Sequence, residues 1–590
     1  MLETIYHTND IPYAYPISTT QLKVRIRVKK NAVKKCYVFH SDRYVTPGTE
    51  KPMEIEKVAT TPLFDFYEGV IEAEMKRVRY MFLLLDNEGN EIWYDEFGPR
   101  DNRDLDGSFH YPYMLEKDTF QIPSWYDKAI IYQIFPERFC NGDASNDPKD
   151  VMPWDHKLKP TPQSFYGGDL EGIIQKLDYL DELGINTIYL TPIFQADTNH
   201  KYNTEDYFQV DPHFGDKDTL KRLIDLAHEK GMRVILDAVF NHAGDDFFAF
   251  KDVVENGEKS KYKDWFHIKE FPIQKEPTAS YETFAFVPSM PKFNTSNPEV
   301  IDYIISIGKY YIEELGIDGW RLDVSNEVDR DFWKLFRSEM KKINPEIAVI
   351  GEIMHNAAAW LRGDQFDGVQ NYLFRRVMLE FFAEQKVGAK SFCERLSYVQ
   401  MLYPDEANRS MFQLIDSHDT ERFYTTIIDN SYDSPEENTS IHKLKLAALF
   451  QMTYIGMPMM YYGNEVGMTG GSDPDNRRPM IWDEKEQDLD LLQFYKDIIK
   501  LRKNHIALQK GTFKVWFVDE AKNTFGYIRE DESETIAIII NNSPHRHVLE
   551  APAIKNAPVL EDVQSGNVYK LNGEHFEFEI DTFGYIVLKK

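Results

Sequence analysis

Three acidic residues, each closing a short β-prone run, are the positions in this chain best placed to do chemistry. Asp323 ends Gly-Trp-Arg-Leu-Asp (319–323), Glu352 ends Val-Ile-Gly-Glu (349–352), and Asp419 lies in Ile-Asp-Ser-His-Asp-Thr (415–420). A fourth segment, Asp-Ala-Val-Phe-Asn-His (237–242), closes a strand in the same way. Acids that face one another break glycosidic bonds: one attacks or stabilises the sugar, the other delivers a proton. Arg321 stands two residues before Asp323, so on a strand both side chains share a face. A permanently charged guanidinium there is expected to lower the carboxyl pKa and keep Asp323 ionised, as a nucleophile requires. Glu352 follows Val349, Ile350 and Gly351, and apolar surroundings favour the protonated carboxyl of a general acid. With 97 Asp and Glu in the chain, most must be solvated surface, so strand-end placement is what singles out these three. His200, His242 and His418 are, on residue type alone, more often structural than functional.

Such acids converge only if a scaffold brings distant strand ends together. Three segments share a charged helix end, a glycine and a β-rich run: 181–190, 228–237 and 313–323. Glycine after a helix supplies the left-handed cap, and a helix returning to a new strand is the unit of a parallel sheet. Residues 129–135, 347–350, 413–415 and 459–462 supply further strands. The pattern predicts an α/β chain built on a (β/α)8 TIM barrel over 123–505, whose strand C-termini open into one pocket. Residues 243–298 are too long for an ordinary loop and predict a functional insertion after the third strand. Alternation at Leu22, Val24, Ile26 and Val28, with further short strands to Tyr94, predicts an N-terminal β-sandwich over 1–122. Runs at 535–540 and 576–580 predict a C-terminal all-β domain over 506–590.

The chain has 590 residues, enough for several domains. Its formal charge of −29 excludes nucleic acid as a partner, since phosphates would be repelled, and suits a neutral substrate. Three widely spaced cysteines (Cys36, Cys140, Cys393) build neither a disulfide framework nor a zinc site. The apolar stretch 446–463 is interrupted by Gln451, Gly456 and Pro458, which predicts a buried helix running into a strand and not a membrane span. The first residues show no signal peptide, so the cytoplasm is the expected compartment.

The motifs resemble the α-amylase family of glycoside hydrolases, in its neopullulanase, cyclomaltodextrinase and maltogenic amylase branch. Four family motifs occur in family order at 237–242, 319–327, 351–355 and 415–420. Met-Pro-Lys-Phe-Asn (290–294), Asn-His-Lys-Tyr-Asn-Thr-Glu-Asp-Tyr (199–207) and Tyr-Tyr-Gly-Asn-Glu-Val-Gly-Met-Thr-Gly-Gly (461–471) add to them. The resemblance implies Asp323 as nucleophile, Glu352 as general acid/base and Asp419 as transition-state stabiliser. It implies that Tyr202 stacks under the glucose ring and that His200, His242, Arg321 and His418 hold that sugar or the acids. The substrates implied are α-glucan oligosaccharides, namely cyclodextrins, maltooligosaccharides and pullulan, cleaved with retention. A glucanotransferase and a non-catalytic binding scaffold are the alternatives. A homodimer, in which the N-terminal sandwich covers the partner's cleft, is also implied.

Asn141, Asp143, Asn146 and Asp147 crowd oxygen donors into Cys-Asn-Gly-Asp-Ala-Ser-Asn-Asp-Pro, a density that suits Ca²⁺ and equally suits plain turn chemistry. The resemblance makes it a structural calcium loop, completed by the Gly167 carbonyl and Asp169. The chain departs from the branch at Met354, where tryptophan is common and where its loss should weaken stacking on leaving-group sugars. Asn203 and Asn464 replace the usual Asp and are expected to remove charge near the sugar-binding rim. Ser325 replaces a small Ala and is expected to matter little. Phe284, in the insertion, is a candidate acceptor-side aromatic or a packing residue.

Overall fold

The computed structural model describes residues 2–46, 48–431 and 439–590. Eight parallel strands run in the order β6-β5-β4-β3-β2-β1-β8-β7 across one sheet. They are β1 (Ile131–Ile134), β2 (Thr187–Leu190), β3 (Arg233–Ala238), β4 (Gly319–Leu322), β5 (Ala348–Gly351), β6 (Gly368–Val369), β7 (Phe412–Leu414) and β8 (Met457–Tyr461). A parallel bridge from Gln370 to Phe412 joins the sheet's two ends, so it closes on itself as a barrel. Side-chain alternation sorts the strands into two layers. Ile131, Tyr189, Ile235, Ile350, Leu414 and Met459 share the lumen. Ile188, Val234, Trp320 and Val349 face the helices. Strand β6 has only two residues, in Phe-Asp-Gly-Val-Gln, too short to show any periodicity in the sequence.

The residues before the barrel form nine antiparallel strands. Strand Lys51–Thr60 crosses between the two halves: its first residues pair with Val33–Ser41 and its last with Phe64–Glu72. Leu22, Val24, Ile26 and Val28 meet Cys36, Val38, Phe82 and Leu84 in the core between them, as their alternation predicts. Arg25 reaches from this domain to the Met401 carbonyl at 2.8 Å, and Lys23 pairs with Asp405. After the barrel, a six-stranded and a two-stranded sheet pack on Ile539, Leu549, Phe576 and Phe578.

The interval 243–298 is a small folded unit. It carries the helix Phe248–Asn256 and the bridges His242–Lys292, Phe266–Phe293, Ile268–Tyr281 and Thr283–Pro291. Its aromatic residues Phe247, Phe250, Trp265, Phe266 and Phe293 bury against one another, which supplies the core that its sequence periodicity does not announce. Among the described residues no helix is long and apolar enough to cross a membrane.

Candidate active site

On β4, Trp320 and Leu322 point out to the helices, so Arg321 and the following Asp323 point inward. Arg321 is fully buried. Its Nη1 donates to both oxygens of Asp237 at 3.0 Å and to Asp323 Oδ1 at 2.8 Å, while Nη2 lies 3.0 Å from Glu352 Oε1. Its Nε donates to Gln370 Oε1 at 3.0 Å, just beyond β6. One cation therefore serves three carboxyl groups from β3, β4 and β5.

That sharing reverses the expected effect on Asp323. Burial pushes its carboxyl well above the usual range and the facing Glu352 pushes it further, against the pull of Arg321. Burial likewise pushes Asp237 up to about 6, although Arg321 and the Tyr189 hydroxyl at 2.6 Å favour its ionised form. Burial and mutual repulsion therefore favour the protonated forms of Asp323 and Asp237 more than in an isolated aspartate.

The residue after Asp323 is strained. Val324 adopts φ 45°, a left-handed conformation that a β-branched side chain tolerates poorly, at a cost of order 1–3 kcal/mol. The turn aims its N–H at Glu352 Oε2, 2.9 Å away. Ser325 Oγ accepts the Glu352 N–H at 2.9 Å and donates to the Leu322 carbonyl. Ser325 thus braces the backbone of the acid, a contact that the expectation of little consequence overlooked.

Asp419 is reached through a second chain of hydrogen bonds. The Gln133 amide donates to His418 Nδ1 at 2.7 Å, which places the ring hydrogen on Nε2, 3.1 Å from Asp419 Oδ1 and in contact with the Tyr202 hydroxyl. Tyr202 in turn donates to Asp237 Oδ2 at 3.0 Å. Its ring stacks on His418 with centroids 5.6 Å apart and planes 8° apart. Arg477 approaches Asp419 at 3.5 Å and donates to the His418 carbonyl at 2.8 Å. Burial pushes Asp419 up, with Arg321 and Arg477 opposing. Burial also pushes His200 and His242 down to about 3 and His418 well below its ordinary value, so all three are neutral imidazoles.

All of this opens into a cavity of about 420 Å³. Asp323, Glu352, Asp419, His200, Tyr202, His242, Phe284 and Met354 line it, while Arg321 and His418 stand behind the acids. Phe284 does both things considered for it: it faces the cavity and stacks on His242, centroids 5.0 Å apart. Met354 is 52% exposed, a flexible thioether on the cavity wall. The structure adds Met290, Val324, Asn326, Glu327, Asp473 and Arg477 to the wall. Arg477 and Asp473 sit in Gly-Gly-Ser-Asp-Pro-Asp-Asn-Arg, which reads as turn chemistry alone. Asn326 and Glu327 lie inside the motif at 319–327, whose length was the available signal.

Two expectations are corrected. Asn203 is buried among Thr198 and Asp197 and does not face the cavity. Asn464 is buried too, donating to Asp416 Oδ1 at 2.6 Å and accepting from Arg422. An aspartate at 464 would set two carboxylates face to face, so asparagine settles a local pairing and leaves the sugar rim unchanged.

The loop after β1 brings the calcium candidates together only in part. Asn141 donates to Asp147 Oδ1 at 2.7 Å, and a side chain at Gly167, whose φ is +80°, would strike both. Asn146 Oδ1 is buried with no hydrogen-bond partner, an orphaned acceptor of the kind a cation satisfies. Asp169 spends its carboxylate on the N–H groups of Gly142, Asp143 and Gly172, capping helix Leu170–Gln175. Asp143 closes a turn on Ser145. Among the described residues no three acidic, His or Cys side chains gather as a metal site, so the fit rests on amide and carbonyl oxygens beside Asp147.

A closed eight-stranded β/α barrel whose strand ends set paired acids in one cavity defines a barrel glycosidase. The chain belongs to the α-amylase family and is a glycoside hydrolase: residues 133–511 match the family described as alpha amylase, catalytic domain, and residues 1–115 match the alpha amylase N-terminal ig-like domain. It is 47% identical over 544 residues to neopullulanase 2 of Thermoactinomyces vulgaris, covering 92% of this chain and 91% of that protein. It is 40% identical over 548 residues to an intracellular maltogenic amylase of Bacillus subtilis (strain 168), covering 91% and 90%. A solved cyclomaltodextrinase structure superimposes with a TM-score of 0.94 at 43% identity, covering 100% of this chain and 99% of that one.

Proposed function

We propose that this hydrolase cleaves α-1,4-glucosidic bonds in cyclodextrins, maltooligosaccharides and pullulan by double displacement with retention, with some α-1,6 cleavage and transglycosylation as side activities. The observation that carries the reading is one buried guanidinium holding Asp323 and Glu352 at the mouth of a single cavity, with Asp419 in the same wall. Relatives named neopullulanase, maltogenic amylase and cyclomaltodextrinase support the substrate class.

In this reading Asp323 attacks the anomeric carbon while Glu352 protonates the departing oxygen, then deprotonates the water that releases the sugar. Arg321, 2.8 Å from Asp323 Oδ1, favours the ionised carboxylate that the attack requires. Asp419 receives sugar hydroxyls with neutral His418 holding it from behind, and Tyr202 presents its ring to the glucose face. Asn141, Asn146, Asp147 and the Gly167 carbonyl, with Asp143 and Asp169 shaping the loop, would hold a structural Ca²⁺ that ties the loop after β1 to the barrel. The intracellular name of one relative supports a cytoplasmic setting. A homodimer belongs to the same reading, on the family resemblance alone.

A product profile from β-cyclodextrin, pullulan and soluble starch tests the reading. Short maltooligosaccharides released fastest from the cyclodextrin are expected. Redistribution of chain lengths without new reducing ends would favour a glucanotransferase. Replacing the exposed thioether by an aromatic platform, Met354→Trp, is expected to reorder the three rates, and an unchanged ranking rejects a role for that position in selectivity.

A further inference from the structure

Away from the substrate cleft, a cavity of about 430 Å³ lies where all three domains meet. It is as large as the substrate cavity. Its wall combines the crossing strand Lys51–Thr60 of the first domain, the barrel helix Ala389–Met401 and the strand Thr512–Asp519 of the last domain. The charged residues on that wall are Lys30, Lys57, Lys390, Lys514, Glu394 and Glu520. A chain with 97 acidic and 68 basic residues would be expected to line such a hollow with acid, and here lysines outnumber glutamates two to one.

Neither glutamate is free to balance all of the lysines. Glu394 is paired with Lys30. Glu520 accepts the Lys390 N–H at 2.6 Å, so its charge sits on the helix N-terminus. Lys57 reaches Asp65 only at 3.7 Å. Among the described residues Lys390 and Lys514 have no ion-pair partner. Thr60 and Ser397 add hydroxyls, and Val58 and Val515 add an apolar wall.

We propose that this three-domain cavity is a binding site for a small phosphate-bearing anion, held by Lys57, Lys390 and Lys514. Lysine ammonium groups bind phosphate as point charges, hydroxyls complete its hydrogen bonds, and the volume admits a phosphate ester of sugar size as readily as free phosphate. A ligand touching all three domains stabilises their mutual arrangement, because it binds the assembled protein and not the unfolded chain.

The test is thermal unfolding and titration calorimetry of the full chain with glucose 1-phosphate and with inorganic phosphate, each against sodium chloride at matched ionic strength. A rise in melting temperature of about 3 °C with saturable heat is expected for at least one phosphate probe. Binding by both probes identifies free phosphate as sufficient, and binding by the ester alone identifies the ester. The double variant Lys390→Ala/Lys514→Ala is expected to lose the shift, while the double arginine variant retains it. β-Cyclodextrin hydrolysis without phosphate should be the same in all three proteins. A shift reproduced by chloride, or one that survives the double alanine variant, overturns the proposal.

Discussion

Two regions at the C-terminal mouth of the barrel carry acids, and they use them in different ways. After β1, Asp143 and Asp169 are satisfied by nearby backbone N–H groups and by Ser145. Those bonds shape turns and a helix cap, leaving the carboxylates in a local structural role. At the ends of β3, β4 and β5, Asp237, Asp323 and Glu352 share one cation, Arg321, with the Tyr189 and Tyr202 hydroxyls added on Asp237 and the Val324 N–H on Glu352. That shared charge leaves burial uncompensated and raises Asp323 and Asp237. Acids satisfied by backbone support structure. Asp323 and Asp237, crowded round one shared cation, are pushed towards their protonated forms.

The comparison breaks most visibly if the crowded acids prove dispensable. Asp323→Asn and Glu352→Gln are each expected to lower kcat by about a thousandfold or more, from losing a nucleophile or a proton donor. The melting temperature of Asp323→Asn at pH 7 should equal or exceed that of the wild type, since it removes a carboxyl that burial disfavours when ionised. Near-normal turnover in either variant removes the mechanistic half of the contrast.

The other loop is sharpened by metal removal. A chelator is expected to lower the melting temperature by about 5 °C, and Asp147→Ala should make the protein insensitive to chelator. Activity on β-cyclodextrin at 25 °C should be retained, because the loop supports structure and does not touch the reacting bond. An unchanged melting temperature in the wild type means that turn chemistry alone accounts for these residues.

Acid titration probes the crowded region in a further way. His200 and His242 have folded pKa values near 3, and His418 is depressed too, whereas the unfolded chain protonates histidine near 6.5. Below that value the unfolded state binds more protons, so stability is fully present above about pH 6.5 and falls as the pH drops towards 3. The raised Asp237 acts oppositely: the folded state holds its proton between about 4 and 6, so its contribution falls as pH rises through that window. The melting temperature is therefore expected to decline from pH 6.5 downward, with a shallower decline for His242→Asn. Equal slopes for variant and wild type would place the acid sensitivity elsewhere.

Much of this architecture was legible because it repeats. Helix, glycine and strand recur, and Leu22 to Val28 alternate as a half-buried strand must. Strand β6 was not legible, since two residues carry no period, and its place in the barrel is fixed by its neighbours and by the Gln370–Phe412 bridge. In the site, motifs marked the acids and their histidines, but what shifts their protonation is first burial and then, for Asp323 and Asp237, the neighbouring acid and the shared Arg321, which depend on three strands at once. Asn203 and Asn464 misled for a related reason: a charge difference in a motif does not say whether the side chain faces sugar or core. Val324 gives no sequence signal either, since a β-branched residue does not announce a left-handed turn whose N–H meets Glu352.

Ser325 offers the finest test of how the acids are held. Its hydroxyl accepts the Glu352 N–H at 2.9 Å, but that N–H also reaches the Leu322 carbonyl at 2.9 Å, so Ser325→Ala leaves one of two acceptors in place. Losing one such bond is worth about 1 kcal/mol, which corresponds to about a fivefold fall in kcat if the acid's placement matters in the transition state. KM should stay unchanged, because Ser325 is fully buried and does not line the cavity. The pH profile should move as well, since a looser Glu352 interacts differently with Asp323 across their shared guanidinium. A variant that melts earlier but keeps both kcat and the pH profile would show that the hydroxyl only stabilises the end of β4. In that case the strained Val324 turn, with its N–H on Glu352, would be what positions the acid.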